Sequence, residues 1–313
     1  MNSERLSRRQ AMAQAGLMLG ATVATSVSAG PATQDGARPF RYCLNTATIR
    51  GQKLGIVKDI EVAAQAGYDA VELWLNSIQE YLQKGGTLGD LKKRISDSGL
   101  TLESAIAFLE WLVEDDERRA KGLERAKREM DIVAQLGGKR YAAPPAGATD
   151  LLRLDLKKAA ERYRALLEAG EQFGVVAQLE LWGFSKNLGL LGECIGAAME
   201  TGHRHACVLA DVYHLYKGGS DIHGMRLLGS NAIQVMHMND YPSEPPREKI
   251  DDSYRVYPGD GVAPIAEILR LLRGTGGQTV LSLEVFNRGY WSLDALEVAR
   301  TGLAKMKAVA EKA

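Results

Sequence analysis

Short apolar runs and longer amphipathic stretches alternate along the chain from residue 40 onward. The apolar runs predict strands, whereas apolar residues spaced at i, i+3 and i+4 predict helices. The predicted strands are Phe40–Ile49, Ala70–Leu75, Leu102–Ala107, Arg140–Ala143, Val175–Trp182, Ala206–Asp211, Ile233–Asp240 and Gln278–Phe286. The predicted helices are Lys53–Ala66, Thr87–Ser98, Asp115–Leu136, Leu154–Phe173, Leu188–Thr201, Asp221–Leu228, Pro264–Leu272 and Leu293–Ala310. The pattern therefore contains eight strand–helix units.

Eight such units predict an α/β fold, a single-domain (β/α)8 TIM barrel over residues 40–313. Glycine follows most of the predicted helices, as the left-handed C-cap position favours. The alternative is a doubly wound open sheet, which would carry a glycine-rich phosphate loop after its first strand. Residues 45–52 read N-T-A-T-I-R-G-Q and contain no such loop, so the sequence favours the closed barrel.

The segment before residue 40 has a separate character. Ser7-Arg8-Arg9-Gln10 precedes an apolar run rich in glycine and alanine, Ala11–Val27, and Val27-Ser28-Ala29 has the small residues of a cleavage site. This layout is typical of an export signal of the twin-arginine type. We therefore expect a signal peptide over residues 1–29, a flexible tether over residues 30–39 and a periplasmic or otherwise exported protein. The alternative is an uncleaved anchoring helix, but the run is too short and too weakly apolar for a stable membrane span.

Composition narrows the class of partner. Lys and Arg number 39, and so do Asp and Glu, which argues against a nucleic-acid-binding protein. The three cysteines, Cys43, Cys194 and Cys207, are scattered and form no C-x-x-C pair, so we expect them to be buried apolar residues. These observations leave a small-molecule partner as the expectation.

Four ionisable side chains lie in or directly after apolar strand runs: Glu180, Asp211, His237 and Glu284. A lone charge there would be costly to bury, but four charges at the C-terminal ends of barrel strands can share a cation. Three carboxylates and one imidazole favour Mn²⁺, Co²⁺ or Mg²⁺ over an ion that prefers thiolates. A purely structural role remains open for each residue: a bonded carboxylate, a loop cap, a core histidine or a partner of an arginine.

This set of ligands suggests a reaction. A divalent cation would polarise the carbonyl of a hydroxy-ketone and stabilise an enediolate, which also requires a base beside the acidic C–H group. Glu180 and Glu284 are the predicted acid/base pair, because they could stand on opposite faces of a bound substrate.

Six motifs resemble the xylose isomerase-like TIM barrel superfamily, whose members include sugar and sugar-phosphate isomerases and epimerases, inosose dehydratases and dehydroshikimate dehydratases. They are G-Y-D-A-V-E-L-W (67–74), L-E-L-W (179–182), D-V-Y-H (211–214), H-M-N-D (237–240), P-G-D-G (258–261) and L-S-L-E-V-F-N-R-G-Y-W (281–291). The resemblance covers about residues 40–310. It implies that Glu180, Asp211, His237 and Glu284 hold the ion, with Mn²⁺ favoured and Zn²⁺ added to the alternatives. Because barrels of this family often pair, it also makes a homodimer an expectation.

The resemblance further implies substrate contacts at His214 and Glu72. Many of the family's epimerases place a substrate-binding arginine six residues after the metal histidine, but this chain has Ser243 there. We therefore expect Arg247 or Arg255, in the long Tyr241–Gly261 loop, to replace it. Two further expected substrate contacts are Trp182, whose ring could stack on a sugar, and Asn45 in the loop after the first strand.

The sequence thus favours a divalent-metal-dependent sugar isomerase or epimerase. The main alternative is a metal-dependent lyase or dehydratase that uses the same site on a 3-keto-glycoside or a keto-inositol. A non-catalytic sugar-binding barrel remains a third hypothesis. A nuclease that shares the barrel is disfavoured, because the chain has five histidines and no excess of positive charge.

Overall fold

The computed structural model describes residues 40–313, which form a closed barrel of eight parallel strands. The strands are β1 (Phe40–Asn45), β2 (Ala70–Trp74), β3 (Thr101–Ile106), β4 (Arg140–Ala143), β5 (Val176–Glu180), β6 (Val208–Asp211), β7 (Val235–Met238) and β8 (Thr279–Leu283). Each strand pairs with the next one in the chain, and β8 closes onto β1 with Leu281 opposite Tyr42. The predicted TIM barrel is confirmed. The predicted signal peptide and tether, residues 1–39, lie outside the described residues.

Helices surround the barrel in the described part of the chain. They are α1 (Ile56–Ala66), α2 (Leu75–Gln83), α3 (Leu88–Asp97), α4 (Asp116–Gln135), α5 (Leu156–Glu171), α6 (Leu191–Glu200), α7 (Val212–Gly218), α8 (Ile265–Gly274) and α9 (Ala295–Ala310). Short 3₁₀ turns cover Thr46–Gln52, Ile222–Leu227, Asp252–Tyr254 and Tyr290–Ser292. None of the helices in residues 40–313 combines the length and the apolarity needed to cross a bilayer.

Several predicted boundaries were wrong. Strand β1 ends at Asn45 and not at Ile49, because the Asn45 side chain accepts a hydrogen bond from the Ala47 amide and starts a 3₁₀ turn. Helices α2 and α7 were not predicted, since each begins directly at a strand end without a separating glycine or proline. The predicted helix Asp221–Leu228 is a 3₁₀ turn.

The core has two layers, as the barrel architecture requires. Small and medium side chains fill the space inside the strands: Cys43, Ala70, Ile106, Ala142, Leu209, Val235 and Val280. A larger apolar layer lies between the strands and the helices. All three cysteines are buried and free, as the sequence predicted.

A buried carboxylate also lies near the N-terminal end of the barrel. Glu103 of β3 is 3% exposed and forms ion pairs with Arg140 and, at 3.4 Å, with Arg41. Because these groups compensate one another, this end of the barrel holds its buried charge in internal pairs.

Glycine backbones pack closely beside the opposite, C-terminal mouth. Gly183 and Gly189 lie in the connection after β5, and Gly218 ends α7. A Cβ atom on Gly218 would lie 2.1 Å from the Gly189 carbonyl oxygen, and one on Gly183 would lie 2.2 Å from the His214 carbonyl oxygen. Since backbone atoms cannot rotate away as a side chain can, these glycines allow α7 to pack against the loop after β5.

We expect Gly218→Ala to lower the free energy of unfolding by about 2 kcal/mol or more, because the added methyl group overpacks a backbone contact. The control is Gly192→Ala in α6, where no atom lies within 4 Å of the added Cβ. That change should leave stability unchanged or raise it by about 0.5–1 kcal/mol. Urea unfolding followed by circular dichroism measures both values. Equal stabilities of the two variants would contradict the close packing.

Candidate metal centre

The four ionisable residues predicted from the apolar runs meet at the C-terminal mouth of the barrel. Glu180 and Asp211 are the last residues of β5 and β6, His237 is in β7, and Glu284 directly follows β8. The β6–β7 register places Asp211 opposite His237. All four are buried: Asp211 and His237 are fully inaccessible, and Glu180 and Glu284 are each 4% exposed.

One imidazole nitrogen is surrounded by three carboxylates. His237 Nδ1 lies 3.2 Å from Glu284 Oε2, 3.8 Å from Asp211 Oδ2 and 3.9 Å from Glu180 Oε1. Asp211, His237 and Glu284 offer ligand atoms that lie within 4.8 Å of one another, with Glu180 at the edge of this group. All four residues singled out from the sequence thus lie close together in the fold. Three of them form the tight cluster, and Glu180 lies beside it.

Two polar atoms test whether a cation fits this cluster. His237 Nδ1 and Glu180 Oε2 are buried and have no hydrogen-bond partner within residues 40–313. Such atoms are costly to bury unpaired, and a divalent cation would satisfy both. One imidazole nitrogen with carboxylate oxygens is also a common ligand set for Mn²⁺, Co²⁺ and Zn²⁺. The residues present therefore fit a divalent metal ion.

Glu72 fixes the opposite side of the histidine ring. Its Oε2 lies 2.9 Å from His237 Nε2 and also accepts hydrogen bonds from Ser282 Oγ (2.8 Å) and Asn45 Nδ2 (2.9 Å). Asn45 Nδ2 also donates to Glu284 Oε1 at 3.0 Å. A carboxylate that accepts from one ring nitrogen leaves the other nitrogen free to ligate a metal.

Two residues with an expected substrate contact lie below the cluster. Glu72 and Asn45 were expected to contact substrate, but both are fully buried, and neither lines the cavity at the mouth. They hold His237 and Glu284 in place from below. The sequence located them near the site but could not show which side of the ligands they occupy.

Arg255 carries a buried positive charge into the cluster. Its Nη1 donates to Asp211 Oδ2 (2.9 Å) and to Glu284 Oε2 (3.0 Å), and its Nη2 donates to His214 Nε2 (3.1 Å). Nη2 also donates to Asp252. Arg255 is fully inaccessible as a residue, yet it borders the cavity. Arg255 therefore contacts two candidate metal ligands directly. The sequence predicted a substrate contact for this residue but not this second role.

The loop around Arg255 is closed at its base by Asp240. The Asp240 carboxylate accepts hydrogen bonds from the amides of Gly259, Gly261 and Ala263 at 2.9–3.0 Å. The Asp240 backbone also pairs with Val256 in an antiparallel bridge. Because Val256 follows Arg255, this bridge fixes the point from which the guanidinium reaches the cluster.

Arg247 does not reach the site. Its side chain is about half exposed and lies against Gly219, and it is absent from the lining of the cavity. Arg247 therefore lies outside the cavity in this structure, and Arg255 is the loop arginine that borders it. Substrate binding by Arg247 stays a prediction.

The surroundings drive the pKa values of the two glutamates in opposite directions. Burial raises the pKa of Glu180, and the negative charge of Glu284 adds to this, although His237 opposes it. Burial acts in the same direction on Glu284, but His237 and Arg255 outweigh it and lower the pKa. Carboxyl groups whose pKa values are pushed apart are typical of acid/base pairs in enzymes.

The two histidines of the site also differ. Burial lowers the pKa of His214 to about 3, so its ring is neutral at physiological pH. Burial acts on His237 in the same direction, but Glu284 and Glu72 outweigh it and raise the pKa. Since a neutral ring is what a metal requires, binding of a cation at Nδ1 would displace a proton from His237.

A cavity of about 540 Å³ opens above the cluster. Glu180, His214, Arg255 and Glu284 contribute to its lining, together with the aromatic rings of Trp74, Phe108, Trp182, Phe184, Phe286 and Trp291. Trp182 Nε1 donates to Glu180 Oε1 at 3.1 Å, so this ring lies beside a candidate metal ligand, and its contact with substrate stays a prediction.

Sequence reasoning missed several lining residues, namely Arg50, Phe108, Phe184, Phe286 and Arg288. Their common signal is position, because each follows the C-terminal end of a strand within a few residues. The sequence does not reveal the conformation of each loop, so position alone could not separate cavity residues from their neighbours.

A closed parallel barrel with buried carboxylates and an imidazole at its C-terminal mouth defines a class of candidate metal-dependent TIM-barrel enzymes. The sequence profile of the xylose isomerase-like TIM barrel family matches residues 60–309, and the chain belongs to this family. The resemblance inferred from the six motifs is thereby confirmed.

Three relatives illustrate the range of the family. The chain is 25% identical to the inosose isomerase of Bacillus velezensis over 277 residues, which cover 87% of this chain and 98% of that protein. It is 27% identical to the 3-dehydroshikimate dehydratase of Pseudomonas aeruginosa over 263 residues, covering 81% of this chain and 39% of that protein. The crystal structure of the IOLI protein with a bound zinc atom superposes with a TM-score of 0.81 at 23% identity, covering 87% and 98% of the two chains. These relatives agree with the prediction of an isomerase or epimerase, with a lyase as the alternative.

We expect Glu72→Gln to weaken Mn²⁺ binding by about 10–100-fold, because an amide cannot replace the charged acceptor that orients His237. Isothermal titration calorimetry on the purified protein measures this affinity. The control is Glu103→Gln, which removes a buried carboxylate near the other end of the barrel and should leave Mn²⁺ affinity unchanged. An equal loss in both variants would show that the effect comes from general destabilisation.

Proposed function

We propose that this protein is a divalent-metal-dependent isomerase or epimerase of a keto or aldo sugar. The observation that carries the proposal is the cluster of three buried carboxylates around the unpartnered Nδ1 of His237, at the floor of a cavity lined by aromatic rings. Metal-assisted proton transfer beside a carbonyl needs both parts, a cation site and carboxylates next to the substrate.

The ion would be held by Glu180, Asp211, His237 and Glu284. This mixed set of oxygen and nitrogen ligands favours Mn²⁺, with Co²⁺, Mg²⁺ or Zn²⁺ as alternatives. When bound, the cation supplies Lewis-acid stabilisation of negative charge on the carbonyl oxygen of the substrate. The remaining steps belong to side chains of the protein.

By its contacts, Glu180 is the better placed of the two glutamates to remove a proton, once a bound cation offsets the burial that raises its pKa. Its Oε2 has no hydrogen-bond partner within the described residues, whereas Glu284 Oε1 accepts from Asn45 and Oε2 from Arg255. Glu180 would take the proton from the carbon beside the carbonyl. The electrons of the broken C–H bond form a carbon–carbon double bond, and the carbonyl oxygen becomes the oxyanion of an enediolate.

The fate of the proton decides the product. For an isomer, Glu180 returns the proton to the former carbonyl carbon, and the hydroxyl hydrogen of the neighbouring carbon passes to the former carbonyl oxygen. For an epimer, Glu284 takes up a proton from solvent and delivers it to the opposite face of the carbon that lost one. His214 supports either outcome. Its Nε2 accepts from Arg255, so the hydrogen is on Nδ1, which has no hydrogen-bond partner among residues 40–313. A neutral His214 would donate that hydrogen to a substrate oxygen.

We expect Mn²⁺-loaded protein to exchange the α-hydrogen of a keto sugar for deuterium in D₂O, which proton NMR detects. Glu180→Gln should slow this exchange by about 10²–10⁴-fold, because the amide cannot act as a base. The matched control is Glu80→Gln on the exposed face of α2, which should exchange at the native rate.

Metal content must be measured on each variant, so that loss of the base is separated from loss of the ion. Exchange that persists in metal-loaded Glu180→Gln would remove Glu180 from the base role. If the native protein exchanges no member of a panel of keto and aldo sugars, the proposed function itself is wrong.

A lyase is the second candidate, and the similarity to a 3-dehydroshikimate dehydratase favours it. Here Glu180 removes the same α-proton, and the electrons expel the β-substituent, whose oxygen takes up a proton from a site acid or from solvent and leaves as water or an alcohol. A 3-keto-glycoside and a keto-inositol are the substrates to test. Products of unchanged mass would identify an isomerase, and a released alcohol or water molecule would identify a lyase.

A further inference from the structure

Arg50 lies on the wall of the cavity, in the 3₁₀ turn that follows β1. Three aromatic rings surround its guanidinium carbon, which lies 5.4 Å from the ring centre of Trp74, 5.0 Å from that of Phe286 and 5.3 Å from that of Trp291. Rings of this kind attract the cation and restrict its side chain, but they offer no oxygen to its N–H groups.

The guanidinium of Arg50 has no ion pair and no hydrogen bond to any other residue in the range 40–313. The acidic groups nearby have other partners: Asp252 pairs with Arg255, and Asp251 accepts from Ser253. Arg50 therefore presents five unused N–H donors beside the cavity, in the fork that matches a carboxylate or a phosphate.

Phe286 links Arg50 to the metal centre. The guanidinium carbons of Arg50 and Arg255 each lie 5.0 Å from the Phe286 ring centre, so they are separated by no more than about 10 Å. Arg255 in turn contacts Asp211 and Glu284. A group bound by Arg50 would thus lie in the same cavity as the ligand cluster, on the Arg50 side of the Phe286 ring.

We propose that Arg50 binds an anionic group, a carboxylate or a phosphate, at the end of the substrate remote from the metal ligands. The substrate class is then an acidic keto sugar, and Arg50 is its specificity determinant. This inference rests on the proposed function for the location of the reacting end. The aromatic surroundings support it, because they hold the exposed guanidinium beside the cavity and leave its N–H groups free for a charge-assisted hydrogen bond.

The test compares ligands that differ at one carbon. D-Fructose, D-fructuronate and D-fructose 6-phosphate share the same hydroxy-ketone end and carry a hydroxymethyl, a carboxylate or a phosphate at the other end. Isothermal titration calorimetry with Mn²⁺-loaded protein should show that at least one anion binds about tenfold or more tightly than fructose, and that this preference falls with added salt.

Arg50→Met keeps the apolar stem between the rings and should abolish the preference, whereas Arg50→Lys should keep part of it. The control is Arg247→Met, an arginine outside the cavity, which should retain the native preference. Thermal unfolding of each variant verifies that it is folded.

Three results would overturn the inference: equal binding of fructose and both anions, a preference that survives in Arg50→Met, or an equal loss of preference in Arg247→Met. Tighter binding of fructuronate than of fructose 6-phosphate would indicate that the substrate is an oxidised sugar. Tighter binding of fructose 6-phosphate would indicate a sugar phosphate. The measurement is of binding alone. Failure of the proposed function would instead appear as the absence of deuterium exchange, so the two failures are distinguishable.

Discussion

Burial of several negative charges at one point is the constraint on which this site depends. Glu180, Asp211 and Glu284 converge on His237 with almost no solvent contact, and such a group is unstable without positive charge nearby. The protein supplies part of that charge itself, because the guanidinium of Arg255 contacts both Asp211 and Glu284. A divalent ion would supply the rest and satisfy His237 Nδ1, which has no hydrogen-bond partner in the described part of the chain.

The barrel provides the rigid frame that this electrostatic arrangement needs. Parallel strands bring their C-terminal ends to one mouth, so residues far apart in sequence meet there. Below the cluster, Glu72 links Asn45 of β1, His237 of β7 and Ser282 of β8 through one carboxylate oxygen. Strands from opposite parts of the chain therefore fix the orientation of a single imidazole ring.

The architecture and the positions of the four ionisable residues could be predicted from the sequence, because both follow from local patterns. The alternation of apolar runs and amphipathic stretches specified eight units, and charges within apolar strands are rare enough to mark Glu180, Asp211, His237 and Glu284. Their role as metal ligands remains a prediction. The sequence could not provide the geometry of the loops. Nothing local distinguishes Arg247 from Arg255, yet the backbone bridge between Asp240 and Val256 fixes Arg255, and not Arg247, beside the cluster.

The closure of the long loop at Asp240 has a consequence for how the family can diversify. One carboxylate secures the amides on the far side of the loop, and within the described residues Arg255 forms its side-chain hydrogen bonds to groups outside the largely exposed segment 243–249. Insertions or exchanges in that segment can reshape the outer rim while the charge balance beneath it stays intact. New specificities could therefore evolve on this scaffold without dismantling its reactive centre.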